Sequence, residues 1–252
     1  SKWSYSTEPG AEGILNVAVI WTPRVSNFTD ISPLAYDPSV SLSYINHTSQ
    51  LNNPDLIILP GSKNTIEDLI YLKEQKILEK VLKCHSDGSL ILGICGGFQM
   101  LGNIIRDPQN LESKISECAG LGLFDMDTTF ASDKLTRQIE LKTVKSRLFK
   151  EGIKCDGYEI HMGRTSFKSN YSSLFSRIED ENPMNFGITN KNGTVIGTYL
   201  HGFLNNNSLR QDLLSYIRLC RNIDNPIKPF NFAQFKQDEL DRLCNLLTES
   251  LN

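Results

Sequence analysis

Cys95 is the residue whose surroundings best suit chemistry. It follows the apolar segment SLILGI (89–94) and precedes two glycines, in GICGGFQ (93–99). A sharp turn from a strand into a helix lifts such a side chain out of the sheet, and neighbouring glycines avoid steric clashes there. The N-terminus of the helix would favour the thiolate. The segment predicts a nucleophilic cysteine, with the N–H of Gly96 facing an oxyanion; a small buried cysteine is the structural alternative.

Two other segments end in residues that suit the same reaction. His201 closes TVIGTYLH (194–201), and Gly61 follows the apolar run that ends at Pro60. In open α/β sheets, catalytic groups gather at the carboxyl ends of strands. His201 is therefore a candidate to activate the thiol and to protonate a leaving group. Gly61 is a candidate second donor to the oxyanion. His161, in YEIHMGR, is the competing base.

The elements that must position these residues follow from the apolar pattern. The strands are predicted at 14–21, 40–45, 55–61, 89–95 and 194–202, and the helices at 64–83, 97–105, 208–220 and 234–250. Strands that alternate with helices imply a mostly parallel sheet. The segments FDMDTTF, RQIELKTV and GYEIHMG alternate and predict an antiparallel extension. We expect an α/β fold with a mostly parallel central sheet, flanking helices, that extension and C-terminal helices.

The composition limits the class of protein. The chain has 252 residues and a net charge of −3. Its six cysteines have no CxxC spacing, which predicts reduced thiols and no metal site. No signal peptide or membrane span is recognisable, so a cytoplasmic location is expected. GSKNT (61–65) lacks the glycines of a phosphate loop. Residues 1–13 are interpreted as a linker remnant and 14–252 as one domain, whose helical tail begins at about 205.

Several motifs together resemble a known family. These are GICGGFQMLG, LPGSKNT, GYEIHMGRTSF, TYLHG, GLGLFDMDTTFASDKLTRQ and the opening VAVIWTPRVSNFTDISPL. In this order they are similar to the C-terminal glutamine amidotransferase domain of cobyric acid synthase, over roughly residues 14–250. The resemblance implies a class I glutamine amidotransferase-like fold, a flavodoxin-like three-layer sandwich. It also implies a glutaminase in which Cys95 forms a thioester and His201 is its partner.

The resemblance further implies what lies outside this chain. Ammonia would pass to a synthetase domain or subunit that amidates corrin side-chain carboxylates in cobalamin biosynthesis. ATP and Mg²⁺ are expected on that absent partner, with no cofactor on this chain. Nucleic acid and membranes are not expected as partners. A glutaminase subunit for another acceptor such as a cell-wall precursor, a catalytically silent docking domain and a cysteine peptidase are the alternatives.

Two features of the site stay open. Many amidotransferases carry His-Pro-Glu, whereas Gly202 follows His201 here. The triad is therefore expected to be reduced to a dyad, with a backbone carbonyl or an acid such as Glu159 orienting the imidazole. By similarity to cell-wall glutaminase subunits, Lys134 is a candidate for the glutamine carboxylate. Arg137 and Arg164 are the alternatives, and Gln99 braces the turn or touches substrate.

Overall fold

The computed structural model describes residues 13–177, 186–224 and 229–250. The predicted linker at 1–13 therefore lies outside the described residues, apart from Gly13. The strands are β1 (Leu15–Ile20), β2 (Val25–Ser26), β3 (Val40–Ile45), β4 (Leu56–Leu59), β5 (Gly61–Ser62), β6 (Leu90–Ile94), β7 (Ile104–Arg106), β8 (Glu117–Ala119), β9 (Met126–Thr143), β10 (Lys154–Phe167), β11 (Ser172–Ser173), β12 (Phe175–Arg177), β13 (Gly187–Thr189) and β14 (Val195–Thr198). The α-helices are α1 (Ser32–Ala35), α2 (Thr65–Glu74), α3 (Ile77–Ser86), α4 (Gly96–Met100), α5 (Asn207–Arg221) and α6 (Phe232–Ser250).

The central sheet is mostly parallel, as predicted. Its order is β11-β13-β14-β6-β4-β1-β3, and the five strands from β14 to β3 are parallel. Side chains of the inner strands alternate between two apolar clusters, one on each face of the sheet. One cluster packs against α1 and α5, and the other against α2, α3 and α4. Both faces are covered, which explains why these strands are apolar throughout.

The antiparallel part differs from its prediction. FDMDTTF and RQIELKTV belong to one long strand, β9, and this strand pairs with β10, β7 and β12 in a sheet of its own. The second sheet lies across the carboxyl end of β14, where Tyr158 and His201 exchange backbone hydrogen bonds. This sheet is therefore a separate layer beside the predicted site and not an extension of the central sheet.

Two predicted helices are also corrected. The helix at 64–83 is divided at Lys76, which has a left-handed φ of 56°. The helix at 97–105 ends at Met100, and Ile104 begins β7. The apolar residues there cannot distinguish a short helix followed by a buried strand from one longer helix. No helix in the described ranges has the length and apolar character needed to cross a membrane.

Gly97 sets how closely α4 approaches β4. A Cβ at this position would lie 1.9 Å from the carbonyl oxygen of Leu59. Since real atoms do not approach so closely, helix or strand must move if a side chain is added. The turn at Cys95 therefore requires a residue without a side chain at position 97.

We predict that Gly97→Ala lowers the free energy of unfolding by about 3 kcal/mol or more, because the added methyl displaces the backbone. Gly152→Ala is the control, since its Cβ would meet nothing within 4 Å and only its φ of +81° opposes the change. That control should lose about 1 kcal/mol. Equal losses in urea unfolding would show that α4 moves away from β4 without cost.

Candidate active site

Cys95 occupies a strained turn at the end of β6. Its φ is 52° and its ψ is −109°, a conformation that few residues with a side chain adopt. The backbone N–H of Cys95 donates to Thr198 of the adjacent strand β14, at 2.8 Å. The turn is thus tied to the strand that leads to His201. The sharp turn from strand to helix that the sequence predicts at Cys95 is therefore present.

His201 is fully buried and is held by a carboxylate. Its Nδ1 donates to Oδ2 of Asp30 at 2.6 Å, and the N–H of Gly202 donates to Oδ1 at 2.9 Å. The Nδ2 of Asn27 lies 3.3 Å from each ring nitrogen. Because an amide nitrogen only donates, this contact is consistent with a proton on Nδ1 and an acceptor at Nε2. The ring of Tyr158 stacks on the imidazole at 4.9 Å.

The expected dyad is therefore wrong. Asp30 supplies the third member, and it comes from a short 3₁₀ turn (Phe28–Asp30) after β1 and not from the position after His201. Glu159, the acid suggested by the sequence, pairs instead with Arg137 at 2.8 Å and with His161 at 3.2 Å. The sequence carried only an indirect signal for Asp30, which lies within the opening segment that resembles the family.

His161 lies near Cys95, but its ring is occupied. Its Nδ1 is 2.8 Å from the carbonyl oxygen of Gly163, and its Nε2 faces Glu159. Both ring nitrogens therefore face acceptors, and neither is placed to take a proton from the thiol. In His201, by contrast, Nε2 faces the amide nitrogen of Asn27, which is a donor.

The sequence predicts Gly61 as an oxyanion donor, but the observed geometry points to the next residue, Ser62. The N–H of Lys63 donates to Arg24, and Ser26 pairs with Gly61 in the same antiparallel ladder. Because hydrogen bonding alternates along such a ladder, the N–H of Gly61 faces β2 and that of Ser62 faces the other side. On that side a Cβ on Gly96 would lie only 2.9 Å from the nitrogen of Ser62.

Gly61 is required for a different reason. A Cβ there would lie 3.1 Å from the hydroxyl of Ser26 and 3.7 Å from Cε1 of His201. The glycine thus lets the backbone approach the imidazole closely. The geometry favours Gly96 and Ser62, and not Gly61, as the pair of donors beside Cys95.

The environment of Cys95 favours the protonated thiol. Burial, with smaller contributions from the charges of Asp30, Glu112 and Glu159, raises the pKa of Cys95 to about 12, although the N–H of Gly96 acts in the opposite direction. Its Sγ lies 3.4 Å from the carbonyl oxygen of Ile160, to which it donates. The N–H at the start of α4 therefore favours the thiolate, as predicted, but burial outweighs it and the net pKa shift is upward.

A cavity of about 520 Å³ opens beside the thiol. Its lining includes Ser26, Asn27, Ser62, Lys63, Thr65, Cys95, Gln99, Leu111, Glu112, Lys134, Ile160, His161 and Met162. Gln99 is buried in its wall, where Oγ1 of Thr65 donates to its Oε1 at 3.2 Å.

Of the basic candidates for substrate binding, only Lys134 lies at this cavity. Four residues of β9, 131–134, bulge opposite Met162 of β10 and carry Lys134 to the rim. Arg164 pairs with Asp133 on the surface, and Arg137 is engaged by Glu159. Lys63, which the sequence analysis did not single out, also lines the cavity.

Comparison with known proteins gives the family of this chain. The chain matches the model of the CobB/CobQ-like glutamine amidotransferase domain over residues 16–209. It belongs to that family. A cobyric acid synthase of Clostridium novyi is 40% identical over 257 aligned residues, which cover all of this chain and 49% of the relative. Another from Limosilactobacillus reuteri is 40% identical over 94% of this chain and 47% of the relative.

This member of the CobB/CobQ-like family spans about half the length of those relatives. Solved structures support the fold. PurLQS from Thermotoga maritima superposes with a TM-score of 0.62 at 21% identity, covering 81% of this chain and 99% of the other. A structure described as a glutamine amidotransferase gives 0.56 at 15% identity, covering 82% and 99%. The class I glutamine amidotransferase fold expected from the sequence is confirmed.

The raised pKa of Cys95 predicts slow alkylation at neutral pH. Iodoacetamide reacts with the thiolate, so the rate at Cys95 should be very low at pH 7 and should still be rising at pH 10. Peptide mass spectrometry follows each cysteine separately, and the exposed Cys244 is the internal control. Rapid labelling of Cys95 that is independent of pH between 6 and 8 would contradict a protonated resting thiol.

Proposed function

We propose that this chain is the glutaminase module of an ATP-dependent amidotransferase that amidates carboxylates of a corrin ring. The observation that carries the glutaminase assignment is the buried Asp30–His201 pair at the end of the strand next to the Cys95 turn. The family match and the names of the curated relatives support the amidotransferase class and the corrin acceptor. They give the cell-wall acceptor no comparable support.

The first step follows from the protonation states. Burial holds the proton on the Cys95 thiol, and because Nδ1 of His201 donates to Asp30, Nε2 is the ring nitrogen left to accept a proton. On substrate binding, His201 takes the proton from the thiol as Sγ attacks the carboxamide carbon of glutamine. Asp30 stabilises the imidazolium that forms, because its carboxylate already accepts from Nδ1. The carbonyl oxygen becomes an oxyanion, which accepts from the N–H groups of Gly96 and Ser62.

The second step releases ammonia. The proton held by His201 passes to the amide nitrogen, the C–N bond breaks, and a thioester remains on Cys95. Water then attacks the thioester, with His201 again as base, so that glutamate and the free thiol are produced. The ammonia would pass to a synthetase domain or subunit that binds ATP, Mg²⁺ and the acceptor. We place the enzyme in the cytoplasm, where glutamine and ATP are available.

A catalytically silent docking domain is disfavoured by the site itself. A buried carboxylate and a buried imidazole in contact cost solvation energy, which a docking role does not require. A strained cysteine at the same edge of the sheet adds to that cost. A cysteine peptidase has no support from the family match.

Replacing Cys95 by serine tests the proposal directly. We expect glutamine hydrolysis to fall by about 1000-fold or more, because the covalent intermediate no longer forms efficiently. Cys244→Ser, on the exposed face of α6, is the matched control and should retain activity. Turnover that survives Cys95→Ser unchanged would exclude this nucleophile.

The role of Asp30 gives a second prediction. Asp30→Asn should lower kcat by about 100- to 10,000-fold with little change in KM, because the imidazole loses the partner that orients it and stabilises its charge. Glu159→Gln is the comparison, since the sequence suggested that acid for the same task. Its effect should be at least about tenfold smaller, as Glu159 contacts His161 and not His201. A larger loss with Glu159→Gln would reverse the assignment.

A further inference from the structure

The cavity beside Cys95 carries charges of both signs. Glu112 and Lys63 line it on two loops, and Lys134 lines it on the bulge of β9. The proposed substrate is itself a zwitterion with an ammonium and a carboxylate on the same carbon. The two lysines carry the charge opposite to that of the carboxylate. No residue has yet been matched to the ammonium.

Glu112 is positioned by a buried acid. The carboxylate of Asp107 accepts the backbone N–H groups of Leu111, Glu112 and Ser113, at 2.8, 2.8 and 2.9 Å. Asp107 is completely buried, so this loop has little freedom to move. The side chain of Asn64 donates to the carbonyl oxygen of Glu112 as well. The position of Glu112 at the cavity wall is therefore fixed before any ligand binds.

Among the described residues, hydrogen-bond donors reach only one of the two oxygens of the Glu112 carboxylate. Its Oε2 accepts the N–H of Thr65 at 3.2 Å, at the start of α2. Among the described residues, no donor bonds to its other oxygen, although the side chain is partly buried in the cavity wall. A carboxylate has about four acceptor positions, and a partly buried one is stabilised by a further charged donor.

We propose that Glu112 binds the α-ammonium group of L-glutamine, while Lys134 and Lys63 face its α-carboxylate. This inference rests on the proposed glutaminase function and identifies the residue that distinguishes an α-amino acid from other primary amides. It makes Glu112 a substrate-binding residue that also fixes the direction in which the side-chain amide points at Cys95.

A purely structural role for Glu112 is the competing explanation. A carboxylate at the N-terminus of α2 stabilises that helix and satisfies the N–H of Thr65. Glu112→Gln separates the two roles, because the amide oxygen still accepts from Thr65 while the charge is lost. The exposed Glu79→Gln on α3 serves as the matched control for removal of a glutamate charge.

The test compares two substrates. L-glutamine carries the ammonium, and glutaramic acid is the same molecule without it. For Glu112→Gln we expect KM for L-glutamine to rise about 10- to 100-fold with kcat nearly unchanged, as for loss of a charged hydrogen bond. Activity on glutaramic acid should stay within about twofold of wild type. Glu79→Gln should change neither substrate.

A pH profile gives an independent readout. Burial, together with the charge of Asp107, raises the pKa of Glu112 to about 7, and the N–H of Thr65 acts against this. An ammonium ion binds the carboxylate but not the acid, so preference for L-glutamine over glutaramic acid should fall below about pH 7. Taking the ratio of kcat/KM for the two substrates cancels titrations common to both reactions. The other titratable groups at this cavity are Lys63, Lys134, His161 and Cys95.

The outcomes are distinct. If wild-type protein hydrolyses both substrates but Glu112→Gln slows them equally, Glu112 is structural, and the glutaminase proposal stands without it. If wild type hydrolyses neither, the proposed function fails and this assignment fails with it. A selective rise in KM for L-glutamine, accompanied by loss of the pH-dependent preference, supports the inference.

Discussion

The Asp30 carboxylate connects parts of the chain that are far apart in sequence. It is almost completely removed from water, and its two oxygens accept from the imidazole of His201 and the backbone of Gly202. An ionised carboxylate in such a place is stable only when its acceptor positions are used. The contact therefore holds the loop after β1 against the segment after β14. It also gives Nδ1 of His201 an acceptor.

The state of the thiol follows from the same packing. Cys95 is buried at the end of β6, where burial and the charges of three carboxylates raise the pKa of its thiol. A permanently ionised thiolate would be open to oxidation and alkylation, whereas a protonated thiol is nearly inert. In the proposed reaction, attack depends on His201 accepting the proton of the thiol. The proposed mechanism therefore assigns to Asp30 the task of orienting the imidazole that activates this neutral cysteine.

The pattern of apolar residues and glycines within single segments was enough to predict several strands and the turn at Cys95. The apolar runs located β1, β3, β4, β6 and β14, and glycines on either side of Cys95 located the nucleophile turn. The long strand β9 was divided in the prediction because its middle, near Lys134, is polar where it bulges toward the cavity. Periodicity does not show which sheet a strand joins, so the second layer was taken for an extension of the first.

The sequence predicted those candidate site residues that a single motif marks by both residue type and position. Asp30 was missed because a lone aspartate in a loop shows nothing of a contact 171 residues away along the chain. Gly61 was predicted from its place after an apolar strand, whereas the direction of its N–H is set by pairing with β2. Glu112 was missed for a similar reason, since its place at the cavity depends on the buried Asp107. Each of these depends on tertiary contacts that sequence spacing does not encode.

The most direct measurement is a crystal structure of the protein after Cys95 has reacted with a diazo-ketone analogue of glutamine. The account predicts a thioether at Sγ with the adduct oxygen about 2.7–3.1 Å from the backbone nitrogens of Gly96 and Ser62. His201 should stand within hydrogen-bonding reach of the adduct while still bonded to Asp30. An adduct whose oxygen points away from both nitrogens, or an imidazole separated from Asp30 and from the sulfur, would contradict it.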